Sequence, residues 1–202
     1  MFFAALLLLR GVFVSSQPEL VDRIVAIIDR DVVTLSEAEQ AVGFLELRGV
    51  ENVDLADVVE RLIEARLIER DVLRFTNDPL PEEPVLQAVA SLREGFSTED
   101  AFEARLAERG ITEEELFSEL RRQLIVTRYL ERRFRALAFV TEEEIQRYFD
   151  AEVVPEFPAQ RRPTLEELDQ IRRILEERKF NERVEQWLDG LKERARIRRY
   201  VW

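Results

Sequence analysis

Apolar residues follow two different periods along this chain. Between residues 24 and 34, β-branched apolar residues flank the polar break Asp29–Asp31, which predicts a hairpin of Ile24–Ile28 and Val32–Thr34. Most of the remaining sequence places apolar residues three and four positions apart, as amphipathic helices do. The pattern predicts a mainly α-helical fold with one small antiparallel β element.

Helix starts are marked by capping boxes, in which Ser or Thr precedes Glu by three residues. Four such pairs are predicted to open helices: Ser36 with Glu39, Thr112 with Glu115, Thr141 with Glu144, and Thr164 with Glu167. The helix that begins at Thr112 is predicted to reach about Ala138 and to be the longest. Further helices are predicted from Asp54 to about Thr76, from Glu82 to Glu94 and from Ser97 to Gly110.

The helix after Asp54 carries apolar residues around more than one face. This width predicts that it is the central and most buried helix. Near the C-terminus, one helical face carries Phe180, Val184, Trp187, Leu188 and Leu191, and strand-forming residues follow from Ile197 to Trp202. A single strand cannot satisfy its backbone groups, so Ile24–Ile28 is the expected partner. The two ends of the chain would then share one sheet.

Composition narrows the possible chemistry. The net charge of −12 argues against nucleic acid as a partner, because such binding neutralises phosphates with basic residues. The chain has neither cysteine nor histidine, which excludes disulfides, thiolate nucleophiles, imidazole bases and the usual zinc sites. We expect no cofactor and no metal.

The apolar run from Phe2 to Val14 is too short to span a membrane, so stable membrane insertion is not expected. Small residues at Val14 and Ser16 fit a signal-peptidase site, which predicts a signal peptide over residues 1–16 with cleavage after Ser16. Arg10 interrupts the run, and an ordinary buried N-terminal helix is the alternative.

Five segments together resemble the SurA-type periplasmic chaperone family: Val21–Glu37, Leu62–Arg70, Phe102–Val126, Thr141–Phe149 and Arg178–Trp202. Their order and spacing carry the resemblance more than any one motif. It implies a helical chaperone domain over 17–152, completed by the C-terminal helix and strand over 164–202. Family members carry parvulin-type prolyl isomerase domains where this chain has only the proline-rich linker 153–163. We therefore expect no isomerase activity and no enzyme.

The function implied by the resemblance is an ATP-independent periplasmic holdase. Its partners would be unfolded polypeptides, namely outer-membrane or other exported proteins. A non-catalytic helical adaptor that docks one folded periplasmic partner is the alternative, and an enzyme using paired carboxylates is a third. The sequence predicts neither the clients nor the oligomeric state.

Aromatic residues are the candidates for client contact. Those near helix ends or in the linker are the least certain to be buried, and large exposed apolar patches signal binding. The predicted client-binding residues are Phe139, Phe149, Phe157, Phe134 and Tyr148.

Several clusters of charged residues are explained by helix and turn chemistry more simply than by a binding site. Glu113–Glu115 and Glu142–Glu144 fall in first helical turns, where the helix dipole favours negative charge. Asp29 and Asp31 are expected to form a polar turn rather than to bind Ca²⁺. The arginines of 121–122, 132–135 and 161–162 are expected to pair with glutamates at helical spacing.

Overall fold

A computed structural model describes residues 22–75, 81–153 and 162–201. The mainly α-helical prediction is confirmed: these residues form seven α-helices around a small antiparallel sheet. The strands are β1 (Ile24–Ile28), β2 (Asp31–Thr34) and β3 (Ile197–Arg199). The helices are α1 (Leu35–Leu47), α2 (Leu55–Phe75), α3 (Glu82–Arg93), α4 (Glu99–Glu108), α5 (Glu113–Phe134), α6 (Glu142–Tyr148) and α7 (Leu165–Arg194).

The sheet joins the two ends of the described chain, as predicted. Its strand order is β2-β1-β3, and β1 pairs antiparallel with both neighbours. Ile27 lies opposite Val32 on one side and Arg198 on the other, while Ala26 lies opposite Arg199. The final strand therefore satisfies its backbone groups against β1.

Asp29 fixes the hairpin turn to the rest of the fold. It adopts a left-handed φ of 55°, a conformation that Asp tolerates better than most residues. Its carboxylate accepts a hydrogen bond from the Arg196 backbone N–H at 2.9 Å and one from Arg70 Nη1 at 2.6 Å. The Arg196 amide and the Arg70 guanidinium lower the pKa of Asp29. For Asp29, the polar-turn expectation is met.

Three of the four capping boxes lie where the sequence predicts them, at Thr112, Thr141 and Thr164. The prediction for Ser36 is wrong, because the box uses Thr34 and Glu37. Thr34 ends β2 and already has the extended backbone that an N-cap requires. Ser36 instead donates its hydroxyl proton to Asp22.

Two helix lengths also differ from the prediction. The longest described helix is α7 with 30 residues, whereas α5 has 22. From its cap at Thr164, α7 runs through Arg178 without a proline, and it tolerates Gly190. Helix α5 ends at Phe134 and tightens into a 3-10 turn over Arg135–Leu137, while α6 passes into a π-helical turn over Phe149–Val153.

The largest core cluster lies between the sheet and two helices. Val25, Ala26, Ile28 and Val33 of the hairpin pack against α2 and against Leu191 of α7. Helix α2 has the most buried residues of the described helices, as predicted from its sequence. Three smaller clusters join α1 to α4 and α5, α5 to α7, and α6 to α7. Thus α7 and β3 pack on the N-terminal elements, although the assignment of 17–152 and 164–202 to one domain stays a prediction.

Candidate functional site

A groove of about 510 Å³ lies between α1, α2 and α5. Helix α2 forms its floor, and the other two helices form its walls. Its apolar lining consists of Ala41, Phe44, Leu45, Val58, Leu62, Ala65, Ile68 and Val126. We refer to this cavity as the α1–α5 groove.

Helix α2 lines the groove because it is apolar on two sides. Val59, Ile63 and Leu67 belong to the main core, whereas Ile68 lies on the groove side. Leu62 packs against the main core and also lines the groove. Residues three and four apart share a helical face, so two such stripes can run along one helix. The wide apolar pattern of α2 therefore predicts burial correctly for the face that packs against the main core. The other face forms an open apolar floor that the sequence analysis missed.

The rim of the groove is charged but balanced. Its lining includes the four arginines and four glutamates Arg48, Arg61, Arg66, Arg122, Glu37, Glu64, Glu69 and Glu119. These formal charges cancel, in a chain whose net charge is −12. The groove therefore differs in charge from the chain as a whole, and it does not select a ligand by net charge.

Ion pairs join the three helices around the groove. Arg66 Nη2 of α2 lies 2.6 Å from Glu37 Oε1 of α1, and Arg122 Nε of α5 lies 3.3 Å from Glu69 Oε1 of α2. At the far end of α1, Arg48 Nη1 donates to Gln123 Oε1 at 3.2 Å. These contacts leave the apolar floor uncovered.

Among the acids that line the groove, Glu69 has a shifted pKa. Burial raises the pKa of its carboxyl group, and the nearby Arg122 and Arg66 only partly oppose this effect. Glu119, the neighbouring carboxylate, raises it further. Both acids lie against Arg122. The apolar lining and charged rim of the α1–α5 groove together suit the binding of apolar side chains.

Phe139, one of the predicted client-binding residues, is exposed. Its side chain is 69% accessible, and Lys179 Nζ lies 5.6 Å from the ring centroid. Lys179 donates to the Phe139 carbonyl at 2.9 Å and to Glu144 at 2.8 Å. The hydrogen bond from Lys179, followed by that from the Thr141 backbone, lowers the pKa of Glu144 to about 2.

The other predicted client-binding residues that the structure describes are buried or partly buried. Phe149 is 0% exposed and Phe134 is also buried, while Tyr148 is partly buried. Phe149 packs with Ile145 and Ile171, because the π-helical turn directs it towards α7. Phe134 packs with Phe180 of α7. Neither Phe149 nor Phe134 therefore presents its ring to solvent.

None of these four residues lines the α1–α5 groove. Phe157 lies outside the described residues, as do the segment 1–16 with its cleavage point after Ser16 and most of the linker 153–163. Contact with a client by any of the five aromatic residues stays a prediction.

The acidic clusters have structural partners. Glu113–Glu115 and Glu142–Glu144 lie in the first turns of α5 and α6, as predicted. The carboxylates of Glu99, Glu103 and Glu113 converge on the surface, where Arg93 forms ion pairs with Glu99 and Glu113. Carboxylates neutralised in this way do not by themselves form a metal site.

The arginine clusters follow the predicted pairing in part. Arg122 pairs with Glu119 at 2.5 Å, and Arg135 pairs with Glu131 at 2.6 Å. Arg133 instead lies over the rings of Phe75, Tyr129, Phe134 and Trp187. Its role there is to join α2, α5 and α7 through cation–π contacts.

Comparison with curated proteins finds SurA chaperones. The chain is 32% identical over 158 residues to the SurA chaperone of Pseudomonas syringae pv. tomato, covering 71% of this chain and 35% of that protein. It is 30% identical over 161 residues to that of Pseudomonas putida, covering 73% and 36%. For Hahella chejuensis the identity is 27% over 153 residues, covering 70% and 34%.

These similarities support a SurA-like relationship, as the sequence motifs predict. No protein-family model matches the chain. The chain spans about a third of the length of the curated relatives it matches. Over residues 22–75, 81–153 and 162–201, no helix is both long and apolar enough to cross a membrane.

Proposed function

We propose that this protein is an ATP-independent periplasmic chaperone that holds unfolded polypeptide in the α1–α5 groove. Its clients are outer-membrane or other exported proteins. The observation that carries the proposal is the open apolar floor of the groove within a rim of balanced charge. The similarity to SurA chaperones supports the same function.

The dimensions of the groove suit a short stretch of client. Glu37 of α1 and Arg48, which caps the C-terminal end of α1, lie eleven residues apart, which corresponds to about 16 Å along the helix axis. An extended chain covers that length with about five residues. Contact with so few residues, without a deep pocket, favours weak and reversible binding of many sequences.

The direct test is suppression of aggregation. At near-stoichiometric ratio and without nucleotide, the protein should keep a urea-unfolded outer-membrane β-barrel protein from aggregating on dilution, as followed by light scattering. Absence of suppression would contradict the holdase proposal. Tight binding to one folded partner, with no effect on unfolded proteins, would favour the adaptor alternative.

Filling the groove should weaken client binding. Ala65 lies on the floor, and in Ala65→Phe the new ring would occupy the space that a client side chain needs. Losing the burial of one large apolar side chain costs about 1.5–3 kcal/mol, so affinity for an unfolded client should fall about tenfold or more. The measurement is fluorescence anisotropy with a labelled client fragment.

Ala90→Phe is the matched control, because Ala90 is exposed on α3 and does not line the groove. This variant should bind clients as the parent does. If Ala65→Phe and the parent bound the client with equal affinity, and their circular dichroism spectra were the same, the groove would not be the client-binding site.

We also propose that the protein lacks prolyl isomerase activity. What supports this is the sequence between Val153 and Thr164, where ten residues stand in place of an isomerase domain. A peptide containing an Xaa-Pro bond should isomerise at its uncatalysed rate, over tens to hundreds of seconds, at any concentration of the protein. A rate that increases with protein concentration would refute this part of the proposal.

A further inference from the structure

The outer face of the sheet is an apolar surface on the side away from the helices. Val33, Ala26 and Ile28 point inward to α2 and α7. Because side chains alternate along a strand, Ile27, Val32 and Arg198 form a row across the opposite side. Beyond the bulge in β1, Ile24 and Tyr200 extend this row. We call these five residues the outer sheet face.

This face exposes large apolar side chains next to one another. Ile24 is 42% exposed, Val32 40% and Tyr200 39%, and Val201 follows with its side chain in solvent. Contiguous exposed apolar surface marks an interaction site more often than scattered residues do. Neither the α1–α5 groove nor the shallow cavity on α7 borders it.

Unpaired positive charge accompanies the apolar side chains. Arg198 lies directly opposite Ile27, and Arg30 occupies the hairpin turn; both are exposed. Within the described residues, no carboxylate pairs with either guanidinium. Of the two acids in the hairpin turn, Asp29 is already bound to Arg70 and to the Arg196 backbone. Asp31 lies opposite the inward-pointing Ile28, so it is not part of the row formed by Ile27, Val32 and Arg198. In a chain of net charge −12, this face is locally basic.

We propose that the outer sheet face docks on an anionic phospholipid surface. Aliphatic side chains, a tyrosine and unpaired arginines on one shallow face match the boundary between lipid headgroups and acyl chains. Free arginines attract anionic headgroups, while the acidic helices lie on the far side of the sheet. Screening within about 8 Å at physiological ionic strength limits their repulsion. The contact is peripheral and does not involve the α1–α5 groove.

Vesicle binding tests the proposal. The full chain should co-sediment with vesicles of phosphatidylglycerol and phosphatidylethanolamine, and binding should weaken between about 50 mM and about 500 mM salt. Vesicles of phosphatidylcholine alone should show no salt-sensitive binding. Any partitioning by the apolar residues 2–14 would be a common background that does not depend on phosphatidylglycerol.

Charge reversal locates the surface. Each basic residue near an anionic membrane contributes about 1 kcal/mol, so Arg30→Glu with Arg198→Glu should reduce binding about 30-fold or more. The matched control is Arg173→Glu with Arg183→Glu, which makes the same charge change at exposed positions of α7. The control should bind as the parent does. Both double variants should still suppress client aggregation, which separates this proposal from the groove.

Apolar contact is tested by Ile24→Thr with Val32→Thr, since threonine keeps the β propensity of both positions. This variant should bind more weakly even at high salt. Equal loss in the α7 control, binding to neutral vesicles as strong as to anionic ones, or no vesicle binding would each overturn the proposal. So would capture of polyglutamate instead of vesicles, or a dimer in light scattering that Ile24→Thr with Val32→Thr dissociates.

Discussion

Replacing Phe149 with alanine should lower the free energy of unfolding by about 3–5 kcal/mol. The side chain is fully buried between Ile145 of α6 and Ile171 of α7. Its removal would leave a cavity between these two helices. The loss combines the transfer free energy of the ring with lost contacts to the cavity wall. Urea denaturation followed by far-ultraviolet circular dichroism measures it.

Phe139→Ala is the control for this prediction. The two phenylalanines lie ten positions apart, but Phe139 is exposed and contacts Lys179 through its ring face and its backbone carbonyl. Its replacement should change the free energy of unfolding by no more than about 0.5 kcal/mol, as is usual for surface positions. Equal destabilisation by the two changes would contradict the burial difference. If Phe139 contacts clients, its loss would appear in client affinity and not in stability.

The contrast between these residues shows what a helix end can and cannot predict. In sequence, both lie near the end of a predicted helix, where burial is least assured. In the structure, the π-helical turn that begins at Phe149 places its ring against Ile171, a residue of α7. No local pattern encodes a contact between residues so far apart in the chain. Position at a helix end therefore does not distinguish the exposed Phe139 from the buried Phe149.

Local signals predicted most of the fold. The capping boxes at Thr112, Thr141 and Thr164 depend on a hydrogen-bond pattern spanning three residues, which the sequence displays directly. The pairing of β3 with β1 followed from the need of a single strand for a partner. Near Thr34 and Ser36 two such patterns compete, and the end of β2 decides between them.

The α1–α5 groove was less predictable, because it exists only where α1 and α5 do not pack together over one face of α2. The apolar residues of α2 indicated a helix with two apolar faces, each expected to pack against another element. One face meets the sheet and α7, whereas α1 and α5 stand apart on the other. The separation of two helices follows from tertiary placement, so the sequence does not distinguish Ile68, which lines the groove, from the core residues of α2.

Trp187→Ala should destabilise the whole fold by about 3 kcal/mol. Trp187 packs against both the main core and the cluster that joins α5 to α7. Its ring centroid lies 5.5 Å from that of Phe134 and 6.0 Å from that of Tyr129, and Arg133 lies 5.7 Å from it. Aromatic and cation–π contacts of this kind add to the apolar area lost.

The same variant tests whether residues 164–202 complete the N-terminal domain. If they do, urea should unfold the parent and Trp187→Ala each in one transition, with the midpoint lowered and the slope unchanged. Trp187→Phe should lose less stability, since a smaller ring can still contact Phe134. A second transition, or a loss confined to part of the helical signal, would mean that α7 and β3 unfold as a separate unit. The pairing of β3 with β1 makes the single transition the expected result, because opening α7 would also remove a strand from the sheet.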